Sequence, residues 1–368
     1  MATDTTPAPG AFEPGAAAPA AEPRSASTAG PLLAESPTGA VPPQTEGQRL
    51  ARERAYNLFS AAIGACTARG LRDRAADLLA REARLPFLTP DEVERAGDEL
   101  ARTLAELRAE PVPDTGEPVD PLPAADAAEL FDLGLRDRLT GKAREHPRLL
   151  LFGGQPGSGK STLQRLLLPA LPEGTVSYDG DDLMRLSPDY ERAMRRDDRA
   201  ASHAVAAQVG VLHVPAMEYI RAGRTDVVCS HPLGRADWAA EWVRGFREAG
   251  YRVEVAFLAV HASASRFAIV DRYRLSREQQ GFGRWMPEHL HDRFYQGVPN
   301  TVEFLETHRL VDSLYVLSRE GEVLYADHLD DDGGDWRTEP FGRIALEAQR
   351  GRRELWHPED SAEFQGAP

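Results

Sequence analysis

The residues with the clearest chemical pattern in this sequence form one glycine-rich segment. The order Gly-x-x-x-x-Gly-Lys-Ser runs from Gly154 to Ser161, after an apolar run at 148–153 and before a leucine-rich helical pattern. Glycines let successive backbone N–H groups point into one cavity, and the helix that follows adds the positive end of its dipole. Such a loop cradles nucleotide phosphates, with the lysine on the β- and γ-phosphates and the serine hydroxyl on Mg²⁺. The sequence therefore predicts an ATP or GTP site with Mg²⁺ on Ser161, formed by Gly154, Gln155, Pro156, Gly157, Ser158, Gly159, Lys160, Ser161 and Thr162.

The scarcity of lysine supports this interpretation. The 43 basic residues are 41 arginines and two lysines, Lys142 and Lys160. One of the two lysines in the whole chain thus stands at the position where a phosphate loop needs one.

A group of aspartates follows the second predicted strand, at 175–179. Asp179, Asp181 and Asp182 come where that strand ends, at the edge where open α/β sheets bind their ligands. A phosphotransferase needs a carboxylate there to accept the proton of the attacking hydroxyl and to orient its oxygen. The alternative is a solvated turn or a helix cap. Because the group follows a phosphate loop, we favour the catalytic interpretation.

Four segments in a fixed order resemble those of the zeta toxin family. They are the phosphate loop, the run from Asp179 through Arg185 to Ser187-Pro188-Asp189-Tyr190, the VDRYR helix around Arg272, and RWMPEH from Arg284. The resemblance covers about 147–310. Zeta toxins are P-loop kinases of toxin–antitoxin systems that phosphorylate UDP-N-acetylglucosamine on its sugar. The resemblance implies ATP as phosphoryl donor, a small-molecule acceptor that is a nucleotide sugar, and an antitoxin protein as partner.

The resemblance also implies roles for individual residues. Asp181 corresponds to the general base, and Arg272 and Arg284 correspond to cations that stabilise charge on the transferring phosphoryl group. The expected catalytic residues are therefore Asp181, Lys160, Arg272 and Arg284, and Asp179 and Arg185 are expected substrate contacts.

Composition supports the two arginines independently. Residues 262–286 hold five arginines and two acids, in a chain that is acidic overall. Charge on transferring phosphoryl oxygens needs such cations. For any single arginine here, the alternative is a solvated helix face.

The chain departs from the family pattern around the expected acceptor. After the third predicted strand, at 225–230, it has Cys229-Ser230-His231-Pro232, where the family has an acid followed by Gly-Thr or Gly-Ser. The family's substrate-facing carboxylate falls by register at His213, and the nearest acid is Glu218. His213 and His231 are therefore candidate substrate contacts. The alternative for His231 is a structural histidine.

Length, charge and cysteine content limit the classes of protein. With 368 residues, 42% of them hydrophobic, the chain is large enough for a substantial core. A net charge of −15 argues against nucleic acid or an anionic membrane as the main partner. Two cysteines make no disulfide framework, the first residues do not form a secretory signal, and no run of 18 apolar residues spans a membrane. We expect a cytoplasmic protein.

Strands alternate with helical segments from 148 onward, which predicts an α/β fold of the P-loop NTPase type. Its parallel sheet should carry helices on both faces and end in a hairpin near 313–329. Trp238 and Trp242, four residues apart on one helix, are interpreted as core residues. The predicted organisation is a disordered tail at 1–45, a helical accessory segment at 46–110, a Pro-rich linker at 111–126, the kinase domain at 127–326 and an acidic tail at 327–368.

Three alternatives stay open from the sequence. The protein could be a P-loop kinase of another acceptor, such as a polyol, an antibiotic hydroxyl or a nucleic-acid end, the last disfavoured by the acidic charge. It could instead be a nucleotide-dependent binding module or switch. The helical segment at 46–110 could inhibit the site in cis or could be a stabilising layer.

Overall fold

The computed structural model describes residues 32–35, 44–112, 116, 118–330 and 334–352. Most of the predicted N-terminal tail, part of the linker and the end of the predicted C-terminal tail lie outside the described residues.

A six-stranded sheet forms the centre of the fold. Its strands are β1 (Arg148–Gly153), β2 (Val176–Asp179), β3 (Val227–His231), β4 (Arg252–Leu258), β5 (Ser313–Leu317) and β6 (Val323–His328). The strands lie in the order β2-β3-β1-β4-β5-β6, and all neighbours are parallel except β5 and β6, which form the predicted hairpin. β1 lies inside the sheet, so the segment that follows it emerges at the centre of the carboxyl edge.

Thirteen helices are described alongside this sheet. They are α1 (Leu32–Glu35), α2 (Glu46–Ala68), α3 (Arg72–Ala83), α4 (Pro90–Arg108), α5 (Ala124–Gly134), α6 (Lys160–Leu167), α7 (Tyr190–Arg196), α8 (Ala201–Val209), α9 (His213–Gly223), α10 (Ala236–Glu248), α11 (Ala262–Gln280), α12 (Glu288–Thr307) and α13 (Gly342–Gly351). A 3₁₀ segment, Gly180–Leu186, follows β2.

Both faces of the sheet are covered, as its apolar strands require. On one face Leu150 and Phe152 pack in a cluster that includes Leu163 and Leu167 of α6. Leu149 and Leu151 point to the other face, where they join a larger cluster that includes residues of α10 and α12. The predicted fold class, a parallel sheet with helices on both faces, is confirmed.

The accessory helices α2, α3 and α4 share that larger core. Leu58, Phe59 and Ile63 of α2 are buried in the same apolar cluster as strands β1, β3 and β4. Thr89 forms a capping box with Glu92 at the start of α4. Helix α2 also packs closely against α7: a Cβ at Gly64 would lie 2.4 Å from the ring of Tyr190. The accessory helices are therefore a layer of one folded unit.

Two predicted tails contain ordered elements that pack on the sheet. Within the predicted disordered tail, α1 buries Leu32 and Leu33 completely, and their N–H groups donate to the buried carboxylate of Glu254 in β4. Within the predicted acidic tail, β6 ends at His328 and α13 buries Gly342, Leu346 and Arg350. The prediction of disorder or tail is wrong for these residues, because short apolar stretches gain their stability from burial against the sheet.

A helix that crosses a bilayer needs about 20 predominantly apolar residues. None of the helices in the described part of the chain combines the length and the apolar character needed to cross a bilayer.

Candidate active site

The loop between β1 and α6 has the shape of a phosphate cradle. Gly157 and Gly159 adopt φ angles of 78° and 97°, in the left-handed region that glycine tolerates. A Cβ at Gly157 would lie 2.1 Å from the carbonyl oxygen of Ser265, so close backbone approach also requires glycine there. The hydroxyl of Ser158 is buried without a hydrogen-bond partner among the described residues. These features fit a loop that binds an anionic group.

Lys160 is the first residue of α6 and points into the cradle. Its Nζ donates to the backbone oxygen of Gln155 at 2.9 Å. Burial lowers the pKa of Lys160 to about 8, although the charges of Asp181 and Asp179 act to raise it. The side chain of Gln155 points away from the cleft, donating to the carbonyl oxygen of Val260 at 2.8 Å.

Ser161 and Asp179 lie together at the base of the cradle. The Ser161 hydroxyl donates to Asp179 Oδ2 at 2.6 Å, and the Ser230 hydroxyl lies 3.4 Å from the same oxygen. A serine hydroxyl beside a carboxylate suits Mg²⁺, which prefers oxygen ligands and commonly takes few from the protein. No group of three or more His, Cys, Asp or Glu that could hold a metal occurs among the described residues. Any Mg²⁺ here would therefore share its coordination with nucleotide phosphates and water.

Asp181 lies in the cleft beside two arginines. Arg284 Nη1 lies 2.5 Å from Asp181 Oδ2. Desolvation in the cleft acts to raise the pKa of Asp181, but the charges of Arg284 and Arg272 outweigh it and hold that pKa below its usual range. Asp181 is thus ionised at neutral pH and can accept a proton.

Arg272 comes from α11 and lines the same cavity. Its buried Nε has no hydrogen-bond partner within the described part of the chain. Burial and the neighbouring Arg284 lower the pKa of Arg272, because both disfavour its charged form. The structure therefore brings the cations of Lys160, Arg272 and Arg284 together around Asp181.

Arg185 does not contact this cleft, and its predicted role as a substrate contact is wrong. Its side chain is 2% exposed and donates to both carboxylate oxygens of Glu82 in α3, at 2.5 and 2.7 Å. Glu82 lies beside Leu78 and Leu79 on the buried face of α3, which is otherwise apolar. That placement was the signal in the sequence that a buried cation must face it.

His213 and His231 both line the far end of the cavity. His213 Nδ1 lies 2.7 Å from the hydroxyl of Tyr178 in β2, and His231 is the last residue of β3, paired with Gly153 of β1. Trp238 and Trp242 also line this end, although their inner faces pack against the core. Their interpretation as core residues is therefore incomplete.

Part of the cavity wall comes from α2 and from segments near the end of the described chain, and the sequence did not predict it. Glu46, Arg49 and Glu53 of α2 line it, together with Arg319 of the β5–β6 turn and Arg352 after α13. The whole cavity has a volume of about 1980 Å³. Nothing in the local pattern of α2 distinguishes a cleft-facing acid from a solvated one.

Comparison with known proteins places these features in a family. The zeta toxin family model matches residues 135–330, more than half of the chain. The chain is 22% identical over 203 residues to a Toxin zeta of Enterococcus hirae, covering 54% of this chain and 71% of that one. It is 22% identical over 186 residues to a Toxin zeta of Streptococcus pyogenes, covering 50% and 65% of the two chains. The match to Toxin PezT of Streptococcus pneumoniae is 20% identical over 185 residues, covering 50% and 73%.

The fold has a counterpart among solved structures. A chain from the PezAT chromosomal toxin–antitoxin system of Streptococcus pneumoniae superposes with a TM-score of 0.56 at 18% identity. The superposition covers 67% of this chain and 95% of that chain. The likeness shows a shared fold.

Proposed function

This chain belongs to the zeta toxin family, and on that premise we propose that it is a Mg²⁺-dependent kinase that phosphorylates a hydroxyl of a small molecule. The observation that carries the proposal is the exposed carboxylate of Asp181, held 2.5 Å from Arg284 beside a phosphate cradle. A binding module or switch needs the cradle, but it does not need a base surrounded by cations at the edge of the cradle.

The residues of the cradle fit a nucleoside triphosphate. The loop of Gly157 and Gly159 and the buried hydroxyl of Ser158 would hold its phosphates, and Ser161 and Asp179 lie where Mg²⁺ would bind. ATP, or GTP, supplies the phosphoryl group when bound, and Mg²⁺ neutralises part of its charge. Asp179 was expected to contact the acceptor. Its bond to Ser161 favours a role on the metal side instead.

The chain's own residues account for positioning, proton transfer and charge. Arg284 contacts Oδ2 of Asp181, so Oδ1 can accept the proton of an acceptor hydroxyl and hold its oxygen in line with the donor phosphate. Lys160, Arg272 and Arg284 would stabilise negative charge on the phosphoryl oxygens. Because transfer of a phosphoryl group involves little covalent chemistry by the protein, this positioning is most of what the enzyme must do.

UDP-N-acetylglucosamine is the acceptor that the family resemblance favours. A different small-molecule hydroxyl is the second candidate, because His213 and His231 occupy positions where the resemblance implies acids and small residues. The names of the relatives, and the toxin–antitoxin system that contains the structural counterpart, support toxicity and a separate antitoxin protein as further parts of the proposal.

Mass spectrometry tests the reaction directly. The protein is incubated with Mg²⁺ and either ATP or GTP, in the presence of UDP-N-acetylglucosamine, and products are searched for a gain of one phosphoryl group. We expect a product with wild type, its loss in Lys160→Ala, and a fall in kcat of about 10²- to 10⁴-fold in Asp181→Asn.

The neighbouring acid supplies the matched control. Asp182 is turned toward Arg185 and Arg138, 3.4 and 3.7 Å away, so Asp182→Asn should keep its kcat per folded molecule. Equal losses in the two Asn variants would contradict Asp181 as the base. Nucleotide binding without any phosphorylated product, with this acceptor or with a metabolite extract, would favour the binding module.

A further inference from the structure

The cavity is larger than a nucleotide site alone requires. Pockets for a single small molecule commonly have volumes of about 300–1000 Å³. This one has about 1980 Å³ and continues past the phosphate cradle to α9 and α10. The extension begins next to Asp181: a Cβ on Gly180 would lie 3.7 Å from His213 Nδ1. The extension therefore begins beside the residue that precedes the base.

Four rings form a continuous wall along this extension. The ring centroids of His231 and Trp238 are 4.1 Å apart, and those of Trp238 and Trp242 are 5.6 Å apart. His213 stacks on Trp242 at 5.4 Å with an interplanar angle of 21°. Trp238 and Trp242 are spaced by one helical turn on α10, so both project from one side of the helix. The four residues, the aromatic wall, are half-buried and all line the cavity.

The aromatic wall carries unused hydrogen-bonding atoms. His213 Nε2 and His231 Nδ1 are buried without a hydrogen-bond partner among the described residues. Such an atom costs free energy unless a ligand or water satisfies it. When Tyr178 donates to His213 Nδ1, the ring proton is on Nε2, which is then a donor without a partner among the described residues.

The wall is uncharged at neutral pH. Burial lowers the pKa of His213 to about 4 and that of His231 to about 3, the latter also through His213. The charged side chains that line this end are Arg221, Arg235, Asp237 and Glu241. Arg235 is paired with Asp237 at 2.5 Å, and both are exposed at the rim. Beyond the cations around Asp181, an acceptor in the extension meets the ring faces of Trp238 and Trp242 and the neutral imidazoles of His213 and His231.

Resting on the proposed function, we infer that the aromatic wall selects an acceptor with an uncharged ring that presents a stacking face, planar as in a nucleobase or apolar as in a sugar. The ring stacks on Trp238 and Trp242, His213 and His231 bind its polar edge, and its hydroxyl lies at Asp181. Indole rings stack on nucleobases and on the apolar faces of sugar rings alike, so ring stacking is the shared chemistry. Short polyols and small charged acceptors lack a ring and are disfavoured.

Binding measurements without ATP test this surface apart from catalysis. Calorimetric titration uses three probes: uridine, N-acetylglucosamine and UDP-N-acetylglucosamine. We expect at least one to bind, and its Kd to rise about 10-fold or more in Trp238→Leu and Trp242→Leu. Phe at the same positions should restore most of the affinity, because a ring face remains. Uridine binding alone would identify a nucleobase as the stacked ring, and N-acetylglucosamine binding alone would identify a sugar.

Trp336 provides the matched control. It is also half-buried, but it donates to the backbone oxygen of Glu306 at 2.8 Å, away from the cavity, so Trp336→Leu should leave the Kd unchanged. In the kinase assay, the α10 variants should raise KM for the acceptor and leave KM for ATP unaltered. Unchanged Kd in both leucine variants, or no binding of any of the three probes, overturns the inference.

The two proposals fail in different ways. Probe binding that depends on Trp238 and Trp242, without phosphoryl transfer, would contradict the proposed kinase activity and support the aromatic wall as a binding site. Phosphoryl transfer with an unaltered KM for the acceptor in the leucine variants would support the proposed kinase and contradict the role of the aromatic wall.

Discussion

At the scale of single residues, the site is defined by three cations around one carboxylate. Arg284 and Arg272 keep Asp181 ionised by lowering its pKa, which makes it a weak base before substrates bind. A weak base suits a loose transition state, in which the hydroxyl keeps its proton until late and orientation matters most. Arg272 and Arg284 also act to lower the pKa of Lys160, whose ammonium group is buried.

The pKa of Lys160 predicts proton uptake on nucleotide binding. With its pKa lowered to about 8, roughly half of the Lys160 side chains are neutral at pH 8 in the free protein. A bound triphosphate favours the ammonium form and raises this pKa, so binding should take up about half a proton at pH 8 and weaken as the pH rises further.

Calorimetry of ATP binding in two buffers of different ionisation enthalpy measures the uptake. ATP is fully ionised at pH 8, so its own phosphate does not contribute. Lys160→Arg keeps the charge at every pH, and it should show no uptake. Identical binding heats of wild type in both buffers would contradict the prediction.

At the scale of elements, α13, the last helix of the described residues, reaches the phosphate loop. Arg350 of α13 donates to Gln155 Oε1 at 2.7 Å and to the backbone oxygen of Tyr295 at 2.8 Å. Its guanidinium also lies 4.3 Å from the centroid of the Tyr295 ring. Burial lowers the pKa of Arg350 to about 10. α13 lies beyond the residues 135–330 that match the family model.

Removing this contact should weaken nucleotide binding. Arg350→Met leaves the buried oxygen of Gln155 unpaired, at a cost of about 1–2 kcal/mol, so KM for ATP should rise about 5- to 30-fold. The kcat at saturating ATP should fall much less, because Asp181 and the arginines are untouched. Arg343→Met is the control, since Arg343 lies on the same helix and pairs at the surface with Glu347 at 3.1 Å. Equal KM values for the two variants would exclude positioning by Arg350.

At the scale of the whole molecule, buried ion pairs join the accessory layer to the segments that follow β2. Glu82 of α3 binds Arg185 and also Arg138, at 3.0 Å. Glu191 of α7, 1% exposed, binds Arg108 at the end of α4 at 2.9 Å and also contacts Arg69. Deleting the accessory helices would remove half of each pair and uncover the shared apolar core. A deletion therefore cannot separate inhibition in cis from loss of folding, and local substitutions are required.

Glu82→Ala should destabilise the protein strongly. It leaves the buried charge of Arg185 without its bidentate partner, which costs about 3–5 kcal/mol of unfolding free energy. Replacing both residues by Met should recover most of that loss, because an apolar pair of similar volume avoids the burial of charge.

Denaturant unfolding measures the free energy of each variant. Asp98→Ala, which breaks the exposed pair of Asp98 with Arg54, should cost less than about 1 kcal/mol. Equal costs for Glu82→Ala and Asp98→Ala would mean that the accessory layer is not held by this pair.

The sequence by itself determined the features whose cause is local. Gly157, Gly159 and Lys160 are needed for one turn of backbone around an anion, and apolar strands alternating with helices permit only a sheet buried on both faces. The resemblance located Asp181, Arg272 and Arg284 for the same reason, since short motifs carried them.

Only the tertiary structure decided which distant residues share the cleft. Arg185 has the spacing of a ligand contact, yet it is buried because Glu82, about a hundred residues earlier, neutralises it. Trp238 and Trp242 look like core on a helical wheel, yet the sheet edge leaves one side of each open to the cavity. α1 and α13 have too little apolar sequence to be predicted as packed elements, and they become ordered because the sheet offers surface to bury.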